Sequence, residues 1–265
     1  MNMYLHEVKS LRKSTIIWTI SIIALAAMYF ALYPGVAANA ADFKALMAGY
    51  PPSVQAILGV SLDNITTLLG FYSMIFSFVA LCGAIQAMNL GVSILSKETR
   101  QRTADFLLVK PVSRAAIVSA KLAATLTMIF ATNLVYNVAA VVMANMVKTA
   151  YSQKLFFMIN ATLLFIQLIF LAIGLVISVI VPRLKSVLPT SLATVFGLFM
   201  VGALIATSSD DAARFISPFK YFDIPYILKN GSYELPYLLF GAAIVILGIM
   251  ASYAIYIKKD IHAVS

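Results

Sequence analysis

The chain has 265 residues, 62% of them hydrophobic and only 11% charged, with a mean hydropathy of +0.95. Globular domains carry about a quarter of their residues as charged groups, so a soluble single-core domain is excluded and membrane integration is expected. The net charge of +9 does not point to nucleic acid, because no segment is long enough to build a soluble basic face.

Six runs are long enough to cross roughly 30 Å of hydrocarbon, which takes about 20 apolar residues. They cover residues 15–33, 65–95, 115–146, 155–181, 187–207 and 235–257. None alternates with period two, so helices are expected and barrel strands are not. The fold class expected is an all-α polytopic membrane protein, one domain over residues 1–265.

Residues 1–13, with His6, Glu7 and Lys9, read as an amphipathic helix at the interface ahead of the first span. The stretch "VAANA" at residues 36–40 resembles a small-residue cleavage site. A signal peptide's apolar core is normally about 7 to 15 residues, and this one is longer, so the first span is read as uncleaved. The second and third spans, each about 30 residues, are expected to project beyond the bilayer at about 1.5 Å per residue. On the second, Gly83, Ala87 and Gly91 form a small-residue stripe that admits a partner helix closely, within this chain or in another one. Cys82, the single cysteine, rules out a disulfide framework and a four-thiolate metal site and reads as a small buried hydrophobe.

Between the second and third spans lies the most charged part of the chain, residues 96–121, with Lys97, Arg100, Arg102, Lys110, Arg114 and Lys121. Its polar start continues off the second span, Phe106, Leu107, Leu108 and Val109 make an apolar patch, and Pro111 ends the helix because the residue before a proline resists the α region. Ser113 is placed to cap the next helix through its side-chain oxygen. Positive-inside anchoring against anionic lipid explains the basic residues but neither the apolar patch nor the embedded Glu98 and Asp105. A docking element for a cytosolic partner explains all three.

Further on, residues 208–234 combine Phe215, Phe219, Tyr221, Phe222, Tyr226 and Tyr233 with Pro218 and Pro225, which predicts short amphipathic helices at the headgroup level. The basic residues divide unequally between the two sides, 13 against 6, while the acids divide 4 against 6. The positive-inside rule then places both termini and the charged segment in the cytoplasm.

No phosphate-binding loop occurs and no Gly-x-Gly, so the chain carries no nucleotide site of its own. "HEVKS" begins like a zinc-protease helix but has Ser10 where the second histidine must stand, so no metal site is expected. With Lys121 counted in the charged segment, the spans are read as free of ionisable residues, which disfavours a proton relay. Amides do occur in them. Gln86, Asn89, Asn133, Asn137, Asn160 and Gln167 read as interhelical hydrogen-bonding groups, and Gln86, Asn89, Asn133 and Asn137 alternatively as lining of a substrate path.

The charged segment resembles the loop between the second and third spans of ABC-2 type permeases: Lys97-Glu98, then "RTADFLL", then "PVSR", then Lys121. Arg102 stands where that family usually has Gly, and Asp105 where it has Glu. The six-span layout and the aromatic "SPFKYF" before the last span are similar too. The resemblance implies a permease subunit of an ATP-binding cassette exporter, not itself an enzyme. It would pair with a second permease copy or a paralogue and with two cytosolic ATPase subunits that carry ATP and Mg. Lys97, Glu98, Thr99, Arg100, Gln101, Arg102, Thr103, Ala104 and Asp105 would then form the coupling helix, with His6, Glu7 and Lys9 as a second ATPase contact. The implied cargo is amphipathic or hydrophobic: a peptide, an antibiotic or a lipid-like molecule. A scaffold that transmits force without transport is the alternative reading.

Overall fold

The computed structural model describes residues 3–51, 54–55, 62, 64–100, 112–181, 184, 186–206 and 211–258, with the backbone alone for Glu98, Thr99 and Asp211. Among these residues the chain is all-helical, and six helices are long and apolar enough to cross a membrane. In chain order the helices are α1 Met3–Ala38, α2 Ala40–Ala48, α3 Leu68–Arg100, α4 Arg114–Met146, α5 Gln153–Ile180, α6 Val187–Ile205, α7 Ile224–Asn230 and α8 Leu235–Lys258. Two short 3-10 turns, Asp211–Ile216 and Pro218–Lys220, stand between α6 and α7.

The expected interface helix and first span are one uninterrupted helix of 36 residues. At about 1.5 Å per residue α1 and α3 are each roughly 50 Å long, so about 20 Å of each must extend past the hydrocarbon. The parts that extend are those that carry charge: Glu7 and Lys9 on α1, Lys97 and Arg100 on α3. α4 starts as the sequence predicts, with the Ser113 side chain accepting from the Ala116 amide at 3.2 Å. Residues 101–111, which hold the apolar patch and Pro111, lie outside the described residues, as do Arg183, Lys185, Lys259 and Asp260.

α3 is the centre of the bundle: 78% of its apolar window is buried, against 11% for α8. Its closest neighbour is α5, and small residues set the approach. A Cβ on Gly91 would stand 2.5 Å from the Leu171 carbonyl oxygen, and one on Gly174 2.8 Å from the Met88 carbonyl oxygen. The glycine stripe therefore faces a partner inside this chain. Such contact substitutes for the hydrophobic driving force that helices lack in lipid, because it brings backbones within dispersion range. α1 packs along α4 and α8 along α5. Cys82 packs against this core but is only half-buried, where a buried position was expected.

Aromatic residues before α8 turn inward more than a headgroup-level position implies. Tyr221 and Phe222 are buried. Phe219 packs on Phe170 and Phe199, and Phe222 on Phe165. Ser217 donates to the Leu198 carbonyl at 2.8 Å and fastens this segment to α6, where Gly202 leaves room for it.

Candidate functional site

Three helices meet where the charged segment leaves α3. Glu7 of α1 is buried, and its two carboxylate oxygens face Lys97 of α3 at 3.4 Å and Lys121 of α4 at 3.5 Å. Lys121 is fully buried and donates to the Ile94 carbonyl of α3 at 2.6 Å. Lys97 remains partly open to solvent and also donates to Ser10 at 3.0 Å. One carboxylate thus holds two ammonium groups from two other helices, and each ammonium has a second oxygen. Buried ions persist only when paired and hydrogen-bonded in this manner.

This arrangement corrects the expectation that the spans carry no ionisable residue. Lys121 lies inside α4, about 10 Å along the helix from Arg114. The ammonium bonds back to the end of α3 that extends past the hydrocarbon, so the group belongs to the charged end of the bundle and not to a proton path at mid-membrane. Glu7 differs from the neighbours grouped with it: His6 and Lys9 are exposed, whereas Glu7 is turned into the protein and occupied there. Arg100, the last residue of α3, is exposed. Gln101, Arg102, Thr103, Ala104 and Asp105 lie outside the described residues.

A second polar feature crosses the core. Thr19 of α1 meets Thr132 of α4 at 3.0 Å, Gln86 of α3 donates to Thr132 at 2.9 Å, Gln167 of α5 donates to Gln86 at 3.1 Å, and Asn133 of α4 donates to Gln167 at 2.5 Å. Nearby, Tyr72 shares its hydroxyl with Tyr136 at 2.6 Å and donates to Asn160. The amides of Gln86 and Asn133 are thereby engaged between helices. Asn137 is half-buried and donates to the Asn133 carbonyl at 2.9 Å, and Asn89 is half-buried as well. Among the described residues, the buried side-chain oxygens of Asn133 and Asn137 accept no hydrogen bond. Replacing Gln167 with Leu removes two links of this seam. The free energy of unfolding from denaturant titration in detergent should fall by about 1 kcal/mol, a typical value for an interhelical bond in membranes, while the apparent affinity for cargo stays unchanged.

At the opposite end Arg214 grips Glu234 with both guanidinium nitrogens, donates to the Lys220 carbonyl at 3.2 Å and lies 4.2 Å over the Tyr237 ring. Burial works against its charge, but the Glu234 hydrogen bonds and charge outweigh it and hold the guanidinium pKa above its usual value.

A family model described as "Multidrug efflux system permease Rv1217c, C-terminal domain" matches residues 7–256. The chain belongs to this permease family. The match starts at the buried Glu7 and takes in the body of all six spans, so a multi-pass membrane protein of an efflux family is the coarse identity. No curated protein matches the chain. Among the described residues of this permease, no cluster of His, Cys, Asp and Glu could hold a metal ion. The sequence did not announce the Glu7 arrangement. The clue it held was a lysine seven residues inside an apolar run and a single acid among the first residues, more than a hundred positions apart.

Proposed function

We propose that this permease is the membrane subunit of an ABC-2 type exporter, placed in the plasma membrane with both termini in the cytoplasm. Two cytosolic ATPase subunits supply the ATP and Mg. A second permease copy or a paralogue completes the transporter. The ATPases grip Lys97, Glu98, Thr99, Arg100, Gln101, Arg102, Thr103, Ala104 and Asp105, and His6 and Lys9 offer a second surface on the same side. The cargo is amphipathic or hydrophobic, in keeping with a multidrug efflux family.

The observation that carries this reading is the pairing of Glu7 with Lys97 and Lys121. It ties α1, α3 and α4 together within one turn of the segment that is gripped. A pull on that segment then moves three long helices as a unit, which a loop hinged on α3 alone would not achieve. Charges of both signs on the segment give register with the ATPase more than raw affinity.

Cross-linking tests it directly. Cys82 is the chain's one cysteine, so Cys82→Ser provides a clean background for Arg100→Cys. In membranes that contain the partner subunits, a short bifunctional reagent at position 100 should trap a cytosolic ATPase. Recovery of the uncross-linked chain alone, with the ATPase present, would overturn the assignment.

A further inference from the structure

Arg114 stands where its own helix disfavours it. As the first residue of α4 it sets a cation beside the positive end of that helix's macrodipole. A cation is favoured instead at a helix C-terminus, where the last carbonyls lack intrahelical partners. The Arg114 guanidinium reaches such an end: it donates to the Ile257 carbonyl, in the last turn of α8, at 3.2 Å. A residue that is wrong for its own helix is put right by another one, so its place is explained by tertiary structure and not by local preference.

Tyr253, one turn back along α8, adds a second attachment. Its hydroxyl donates to the Ala115 carbonyl of α4 at 2.8 Å and meets the Ser119 hydroxyl. Ser252 and Tyr256 beside it are buried, so this end of α8 is turned into the protein. Over its apolar window, however, α8 is the most exposed of the six spans. At its outer start it is fastened again. Arg214 holds Glu234, whose carbonyl accepts from the Leu238 amide at 3.1 Å, and Phe215 packs on Tyr237 and Phe240 with ring centroids 4.7 Å and 5.0 Å away.

We infer that Arg114 and Tyr253 are positioning residues that make α8 a rod, carrying movement of the charged segment to the aromatic segment at the opposite end. The helix has 24 residues and is about 36 Å long, enough to span the bilayer in one rigid piece. Held at both ends and lightly packed between them, it conveys a displacement at Ala115 to Arg214 and Phe215 without unpacking the contact of α3 with α5. The inference rests on the permease reading and adds a fourth helix to the three joined at Glu7.

A probe at the far end of α8 tests it without any cargo. In the Cys82→Ser background, Leu235→Cys carries a bimane fluorophore at the outer start of the helix, where the native side chain is exposed. The full chain is reconstituted with the partner ATPase, and emission is read before and after ATP with vanadate, which arrests the ATPase. The emission should change with ATP. Arg114→Gln combined with Tyr253→Phe should reduce that change at least about fivefold, the lower end of typical coupling between distant sites. A melting temperature within about 4 °C of the native value and undiminished hydrolysis would show that neither fold nor motor was lost. Arg114→Lys should keep most of the change, because an ammonium still offers the Ile257 carbonyl a donor. If the paired variant does not fold, Tyr253→Phe alone, which removes one hydroxyl, should lower the change about twofold. A response of native size in these variants would overturn the inference. So would a native chain whose probe ignores ATP although position 100 cross-links to the ATPase. Failure of that cross-link removes the permease reading itself, so the two fall separately.

Discussion

Glu7→Ala should lower the unfolding free energy by about 3 kcal/mol, because it takes from the fully buried Lys121 ammonium a carboxylate with which it is paired. The substitution removes few contacts of its own. Its cost lies in what stays behind: a charge in a low-dielectric site that keeps the Ile94 carbonyl but has lost the Glu7 carboxylate. Lys121→Met should cost much less, since Glu7 keeps Lys97, which is partly solvated. The double variant Glu7→Leu with Lys121→Met should recover most of the loss, as apolar replacements of buried ion pairs commonly do. Unfolding titrations of the three variants in one detergent check the order. Equal losses for the two single variants would show that Lys121 and Lys97 are not distinguished by burial.

Gly91→Leu should prevent recovery of folded protein. The obstruction is backbone: the Leu171 carbonyl oxygen lies 2.5 Å and the Leu175 nitrogen 3.0 Å from the position of a new Cβ, and no rotamer change moves them. α3 and α5 would have to separate along the best-buried contact of the bundle. Gly91→Ala should already cost about 3 kcal/mol, the upper end for overpacking. Gly197 is the control, because nothing lies within 4 Å of its Cβ position; Gly197→Ala should stay within about 1 kcal/mol of the native chain. Monodispersity on gel filtration and melting temperature report both results.

The presence of six apolar helices was legible in the residues, since a bilayer demands length and apolarity that few other contexts require. The expected start of the fifth span at Val187 and the cap at Ser113 coincide with the structure, because both follow from local chain chemistry. The stripe of Gly83, Ala87 and Gly91 was legible too, but not its partner, since Gly174 lies on a helix whose neighbour no periodicity names. The continuity of residues 3–38 was missed for a related reason. A cluster of charges looks like a helix boundary, yet a helix that leaves the membrane can carry charge without a break. The pairing of Glu7 with Lys121 was out of reach, because a contact between residues 114 positions apart depends on which faces of α1 and α4 meet. The aromatic segment before α8 was recognised by composition, whereas its inward turn depends on Ser217 and Gly202 meeting across α6.

The central claim is that a cytosolic motor drives this permease through the charged segment, and Glu98→Lys combined with Asp105→Lys tests it most directly. The double variant should be reconstituted in proteoliposomes with the partner ATPase, and efflux of a fluorescent amphiphile measured beside ATP hydrolysis. The account predicts normal insertion and melting temperature, continued hydrolysis, and efflux reduced to passive leak. Efflux at the native rate, coupled to hydrolysis as before, would contradict it.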